Sequence, residues 1–158
     1  MSRRHALRIA SSIAMAAWAA QAHTRETHLP RPKSLAKAAL LAQAAGGPLV
    51  LLVSLPGCPY CELVRRNYLQ PMREQDGLAA WQIEIKDKNA IEGFDGLPTT
   101  PMALARQWAV KITPTVFFLD AQGREIAPRL EGVAVADFYG MYLEERLKQS
   151  REALAARS

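Results

Sequence analysis

Cys58 and Cys61 are the only thiols in the chain, and two residues separate them in Gly57-Cys58-Pro59-Tyr60-Cys61. A dithiol that exchanges with another disulfide needs one sulfur to attack as thiolate. It needs a second close enough to release the mixed disulfide, and this spacing at a helix start supplies that reach. In the first turn, unpaired backbone N–H groups and the positive end of the helix dipole favour a thiolate on Cys58. They lower its pKa below the ~8.5 of free cysteine. Cys61, deeper in the turn, is expected to remain a thiol until it closes the protein's own disulfide. Pro59 suits an early helical position, where its missing N–H has no partner to lose. Tyr60 can cover the sulfurs with an aromatic rim.

The pair admits two other uses. A bridge closing so short a loop constrains the unfolded chain little, so a purely structural disulfide is poorly motivated. The same spacing supplies half of many zinc sites, which leaves a copper- or zinc-binding carrier as an alternative. A closed zinc site needs four ligands, however, and a chain processed after Ala22 would add only His23 and His28 to the two thiols. Neither histidine is assigned to a site, and no metal or cofactor is assigned to the protein.

The elements that must hold these cysteines follow from periodicity. Residues 49–55, Leu-Val-Leu-Leu-Val-Ser-Leu, have the length and composition of a strand buried on both faces, and Pro56-Gly57 ends it. From 61 to 72, Leu63, Val64, Tyr68 and Leu69 recur at helical intervals, predicting an amphipathic helix kinked or restarted at Pro71. A Leu/Ala-rich helix over 35–45 precedes the strand and is stopped by Gly46-Gly47-Pro48. Residues 81–86 alternate Trp81, Ile83 and Ile85 with Gln82, Glu84 and Lys86, the two-residue period of a strand. Residues 88–101, rich in Gly, Pro and Thr, read as an irregular loop, long for a plain connector and able to shape a partner surface. A short helix over 102–110 leads to a strand over 113–119. The turn Asp120-Ala121-Gln122-Gly123 then feeds a partner strand at 124–127. Residues 136–155 predict a closing amphipathic helix, with Phe138 and Tyr142 at a spacing that usually faces the core.

A chain of 158 residues with 49% apolar residues can bury one core, and the mixed order of helices and strands makes it α/β. The formal charge of +5 does not imply nucleic acid: Arg3, Arg4 and Arg8 contribute three of those charges, and no later stretch interleaves basic and aromatic residues on one face. Basic Arg3-Arg4, an apolar run over 9–20 and small residues Ala20 and Ala22 make residues 1–22 a secretion signal cleaved near Ala22. The run is too short to span a membrane, which takes about twenty residues. The segment 2–8 also resembles the twin-arginine export pattern, with Ala6 where that pattern favours Phe. Residues 23–34 read as a flexible segment and 35–158 as the domain. Outside the cytosol a disulfide can persist, which favours a redox role for the pair.

Taken together, a buried strand, Gly57-Cys58-Pro59-Tyr60-Cys61 at a helix start, Ile112-Thr113-Pro114-Thr115 about fifty residues later, and Phe117-Phe118-Leu119-Asp120 with Gly123 resemble the thioredoxin family over roughly residues 48–147. The resemblance implies a thioredoxin fold, a central mixed β-sheet flanked by helices. It implies that Pro114 follows a cis peptide bond beside the dithiol and that Thr113 offers its backbone to an extended substrate segment. Substrate contacts are thus expected at Thr113, Pro114, Pro59 and Tyr60, and catalysis at Cys58 and Cys61. The chain departs from cytosolic thioredoxins in having Gly57 where they carry Trp, and Leu52 where they carry a buried Asp on the preceding strand. Its likeness is to small periplasmic thioredoxins, including those serving sulfur-oxidation systems. The implied function is a periplasmic, monomeric thiol-disulfide oxidoreductase that reduces disulfides of client proteins and is recharged by a membrane-bound electron donor. A thiol oxidase is the alternative direction.

Overall fold

The computed structural model describes residues 28–157, so the signal assigned to residues 1–22 lies outside the described residues. Leu49–Ser54 forms β1, buried along its whole length, and occupies an inner position in a four-stranded sheet of order β2-β1-β5-β6. β2 (Ala80–Glu84) runs parallel to it, while β5 (Thr115–Leu119) and β6 (Glu125–Glu131) complete an antiparallel half. Alternation along β1 feeds two cores. Val50 and Leu52 join Val116, Phe118, Val64, Leu69 and Leu143 on one face. Leu49, Leu51 and Val53 join Phe117, Leu119, Leu35 and Leu104 on the other. Helix α1 (Leu35–Ala44) and α4 (Pro101–Gln107) cover the second face. Helices α2 (Pro59–Val64), α3 (Gln70–Asp76) and α5 (Tyr139–Ala155) lie over the first.

Several expectations are corrected. Residues 29–34 are not a free tail. Leu29 is 2% exposed in the first core, and the Gln82 N–H donates to the Pro30 carbonyl at 3.0 Å, so the segment covers the outer edge of β2. Arg31 pairs with Glu84, and the Ser34 hydroxyl caps α1 by accepting from the Lys37 N–H at 3.1 Å. Ser34 also bridges to Glu92. The two-residue period of β2 fails at Gln82, which is buried because its amide accepts from a buried arginine on the neighbouring helix.

The stretch over 88–101 contains a small hairpin, β3 (Ile91–Glu92) with β4 (Pro98–Thr99), rather than an irregular loop alone. Phe94 in its turn stacks toward Trp108 at 6.5 Å and lies over Gly123. A Cβ at Gly123 would meet the Phe94 ring at 2.5 Å, and its φ of +76° is itself a glycine conformation. Phe138, the N-cap of α5, and Tyr142 on it are 52% and 45% exposed, contrary to the core-facing expectation. The buried stripe is Tyr139, Leu143 and Leu147 at four-residue steps, and residues 138 and 142 stand one position, about 100°, around the helix from it.

Asp120, at the β5–β6 turn, ties three parts of the chain together. Its carboxylate accepts from the Gln122 and Arg124 N–H groups at 2.9 Å each, from Arg124 Nε at 2.7 Å and from Arg157 at 3.0 Å. Burial pushes its carboxyl up. The Arg124 N–H, the Arg124 side chain, the Gln122 N–H and the Arg124 charge outweigh that and leave it below the usual aspartate value.

Two outcomes follow for stability. Leu29→Ala should lower stability by about 2–5 kcal/mol in urea denaturation, as for a core leucine, whereas a flexible segment would give no change. Because the Asp120 carboxyl is depressed in the folded state, its contribution is present above about pH 4 and is lost as pH falls through the folded value. Asp120→Asn should therefore be less stable than wild type at neutral pH and lose less on acidification, measured by thermal melts across the acid range.

Candidate functional site

β1 ends at Ser54, and Pro56-Gly57 turns the chain into α2 at the end of the sheet. Gly57 has φ +74°, a left-handed conformation that glycine adopts without strain. The turn is closed by the Cys58 N–H donating to the Leu55 carbonyl at 3.2 Å. Cys58 is the N-cap of α2: its backbone is extended, and its sulfur accepts from the Cys61 N–H at 3.2 Å. Pro59 stands in the first turn, where no N–H is required. Cys61 follows one turn later with its Cα 5.2 Å from that of Cys58, and the two sulfurs are joined as a disulfide. Cys58 is partly exposed, whereas Cys61 is 0% exposed. Pro59 and Tyr60 form an exposed rim on the first turn.

The helix carrying the pair restarts at Pro71, which stands in the first turn of α3. It passes through a π-helical turn over Arg65–Leu69, in which the Gln70 N–H reaches back to the Arg65 carbonyl, and continues as α3. The wider turn falls on the residues before Pro71, whose ring would press on the carbonyl four positions back in an unbroken α-helix.

The second wall comes from the start of β5. The Thr113–Pro114 peptide bond is cis. The Cys58 sulfur lies 3.8 Å from the Thr113 carbonyl oxygen and 3.8 Å from its hydroxyl. Pro114 is buried, its carbonyl accepts from the Gly132 N–H at 2.7 Å, and the Thr115 hydroxyl donates to the Ile112 carbonyl at 2.7 Å. These bonds fix the loop against β6. The structure thus brings together all six residues singled out from the sequence: Cys58, Cys61, Pro59, Tyr60, Thr113 and Pro114.

Arg65, one turn after Cys61, is a buried polar residue absent from the sequence expectations. Arg65 donates from Nε to Gln82 at 2.7 Å and from a terminal nitrogen to the Ser54 hydroxyl at 3.0 Å, and it pairs with Glu62. The available signal was Gln82 and Ser54, polar residues inside strands of an otherwise buried sheet. Among the described residues, no group of three or more His, Cys, Asp or Glu is placed to hold a metal ion. No helix among them is long and apolar enough to cross a membrane.

Comparison with known proteins agrees with this geometry. Residues 35–146 match the thioredoxin-like domain family. Over 132 residues the chain is 30% identical to the thiol:disulfide interchange protein DsbD of Cronobacter sakazakii, an alignment covering 81% of this chain and 21% of that relative. The chain thus spans about a fifth of the relative's length. Thioredoxin O2 from Arabidopsis thaliana, solved in the oxidised state, superposes with a TM-score of 0.50 at 16% identity, covering 77% of this chain and 96% of that one. At that identity the likeness shows the fold alone. The periplasmic thioredoxin SoxS from Paracoccus pantotrophus gives a TM-score of 0.42 at 22% identity, over 63% of this chain and 95% of its own. The chain belongs to the thioredoxin-like domain family, and its Cys58–Cys61 disulfide stands at the start of the helix that follows β1.

Proposed function

We propose that this protein is an exported reductase of disulfides in client proteins, with Cys58 as the attacking thiol and Cys61 as the resolving one. The observation that carries the reading is the asymmetry of the pair. Cys58 is partly exposed and its sulfur lies beside the Thr113 backbone, while Cys61 is fully buried. In the reduced protein, Cys58 thiolate attacks one sulfur of a client disulfide, and the other client sulfur leaves with the electron pair. Cys61 then attacks Cys58, the second client sulfur leaves, and the Cys58–Cys61 disulfide closes. Thr113 and Pro114 line the approach and align an extended client segment, and the Pro59-Tyr60 rim bounds it on the other side. A membrane-bound donor returns the pair to the dithiol.

The Cys61 N–H and the Thr113 hydroxyl both donate to the Cys58 sulfur, and these two groups would hold its thiolate in the reduced protein. Export rests on the basic, apolar and small-residue order of residues 1–22. The relative named as an interchange protein is consistent with protein disulfides as substrates.

Wild type should reduce insulin disulfides, and Cys58→Ala should lose at least about a hundredfold in rate, as for removal of a nucleophile. Stoichiometric copper or zinc after mild isolation, with no Cys58-dependent reduction, would instead assign a metal carrier. Cys61→Ala should hold clients as stable mixed disulfides on Cys58, identified by mass spectrometry. Equilibration with glutathione buffers should place the potential nearer about −270 mV than about −120 mV; a value at the oxidising end overturns the reducing direction. The secreted protein should begin at His23.

A further inference from the structure

One turn after Cys61 lies a charge that the exchange scheme leaves unused. Arg65 is 4% exposed, and two of its three side-chain partners, Ser54 and Gln82, are neutral and buried. The third, Glu62, is 46% exposed at its side chain. Glu84 also lies on this face of β2, and it pairs with the exposed Arg31 of the segment along the sheet edge. Water screens those outer charges. Arg65 is the enclosed one, and a guanidinium does not lose its proton in a protein.

Its position relative to Cys61 follows from the helix. The Arg65 N–H donates to the Cys61 carbonyl, so the two residues are one turn apart on one face. Helical side chains lean back over the preceding turn. Arg65 does so far enough to reach Ser54, the last residue of β1 and four positions before Cys58. The guanidinium is therefore anchored at the end of β1, from which the chain turns into the helix start that carries both sulfurs. Leu52, on the same face of β1, is apolar and buried, and the only buried acid among the described residues is Asp120, at the β5–β6 turn. No enclosed carboxylate stands beside Cys61 to take its proton.

We propose that Arg65 is a positioning residue for the release step, favouring the thiolate of Cys61 by its buried charge in place of a proton-accepting side chain. The inference rests on the exchange reading of the pair. In the step, the Cys61 proton passes to solvent and its thiolate attacks the Cys58 sulfur. The bond from Cys58 to the client sulfur breaks, and the client sulfur leaves as thiolate and takes up a proton. The electron pair lost by the dithiol is the pair gained by the client disulfide, so no further redox partner enters.

The test uses Arg65→Met, which removes the charge, Arg65→Gln, which removes it while keeping hydrogen-bonding groups, and Arg65→Lys, which retains it. Thiolate ultraviolet absorbance of the reduced protein, in a Cys58→Ala background, reports Cys61 ionisation without any client. The midpoint should rise by at least about one pH unit in Arg65→Met and Arg65→Gln and by less in Arg65→Lys, the order expected when a nearby opposite charge is removed. Release of an aromatic thiol from a mixed disulfide on Cys58 should slow about tenfold at neutral pH in the two uncharged variants and recover at high pH. Those variants should also become stronger reductants, because their dithiol form loses thiolate stabilisation. An unmoved midpoint in a variant that melts cooperatively overturns the proposal, as does slowing by the same factor at every pH. Should Arg65→Met fail to fold, Arg65→Gln gives the same reading. Failure of wild-type Cys58 to exchange with any protein disulfide would sink the exchange reading, whereas the Cys61 midpoint would still report on Arg65.

Discussion

Because Val53 pairs with Thr115 across β1 and β5, the chain leaving one strand and the chain entering the other meet at the same end of the sheet. Residues 58 and 113 are far apart in sequence, and the antiparallel register alone makes them neighbours. Everything at the site depends on that constraint. β1 can hold its place only because it is apolar on both faces, with Val50 and Leu52 in one core and Leu49, Leu51 and Val53 in the other. Helix α2 then starts over the sheet, with its N-cap sulfur facing the Thr113 backbone.

Burial distinguishes two chemically identical side chains. Cys58, as N-cap, is partly exposed with its sulfur against the Thr113 backbone, and Cys61 is buried one turn later. The same helix carries Arg65 one further turn on, where its side chain must either snorkel or find partners. It finds Ser54 and Gln82, two polar residues set into otherwise apolar strands. Burying a charge is costly even with the half-exposed Glu62 as its ion-pair partner, and a network of this kind is weak grounds for stability. The role proposed for it lies in the chemistry of the dithiol instead.

Much of this was legible in the residues, for physical reasons. A run such as Leu49 to Val53 admits few readings, and Pro-Gly followed by a cysteine pair marks a strand end and a helix start. Asp120 and Gly123 announced the hairpin because the turn needs a side-chain acceptor and a positive φ. What stayed hidden depends on tertiary partners. Leu29 is a single apolar residue among prolines and charges, and only the open edge of β2 gives it a place. Gln82 breaks the strand period because Arg65 reaches it from another element. Phe138 and Tyr142 share helical spacing with the core stripe but not its phase, and phase is set by where α5 lands on the sheet. The hairpin of β3 and β4 has strands of two residues, too short for any periodicity.

The proposed division between Cys58 as attacking sulfur and Cys61 as resolving one is tested most directly by timed alkylation of the reduced protein at neutral pH, with each cysteine followed by peptide mass mapping. Modification of Cys58 at least about tenfold faster than Cys61 is the result this arrangement predicts, given that the thiolate and its access set the rate. Equal rates, or Cys61 reacting first, would contradict it.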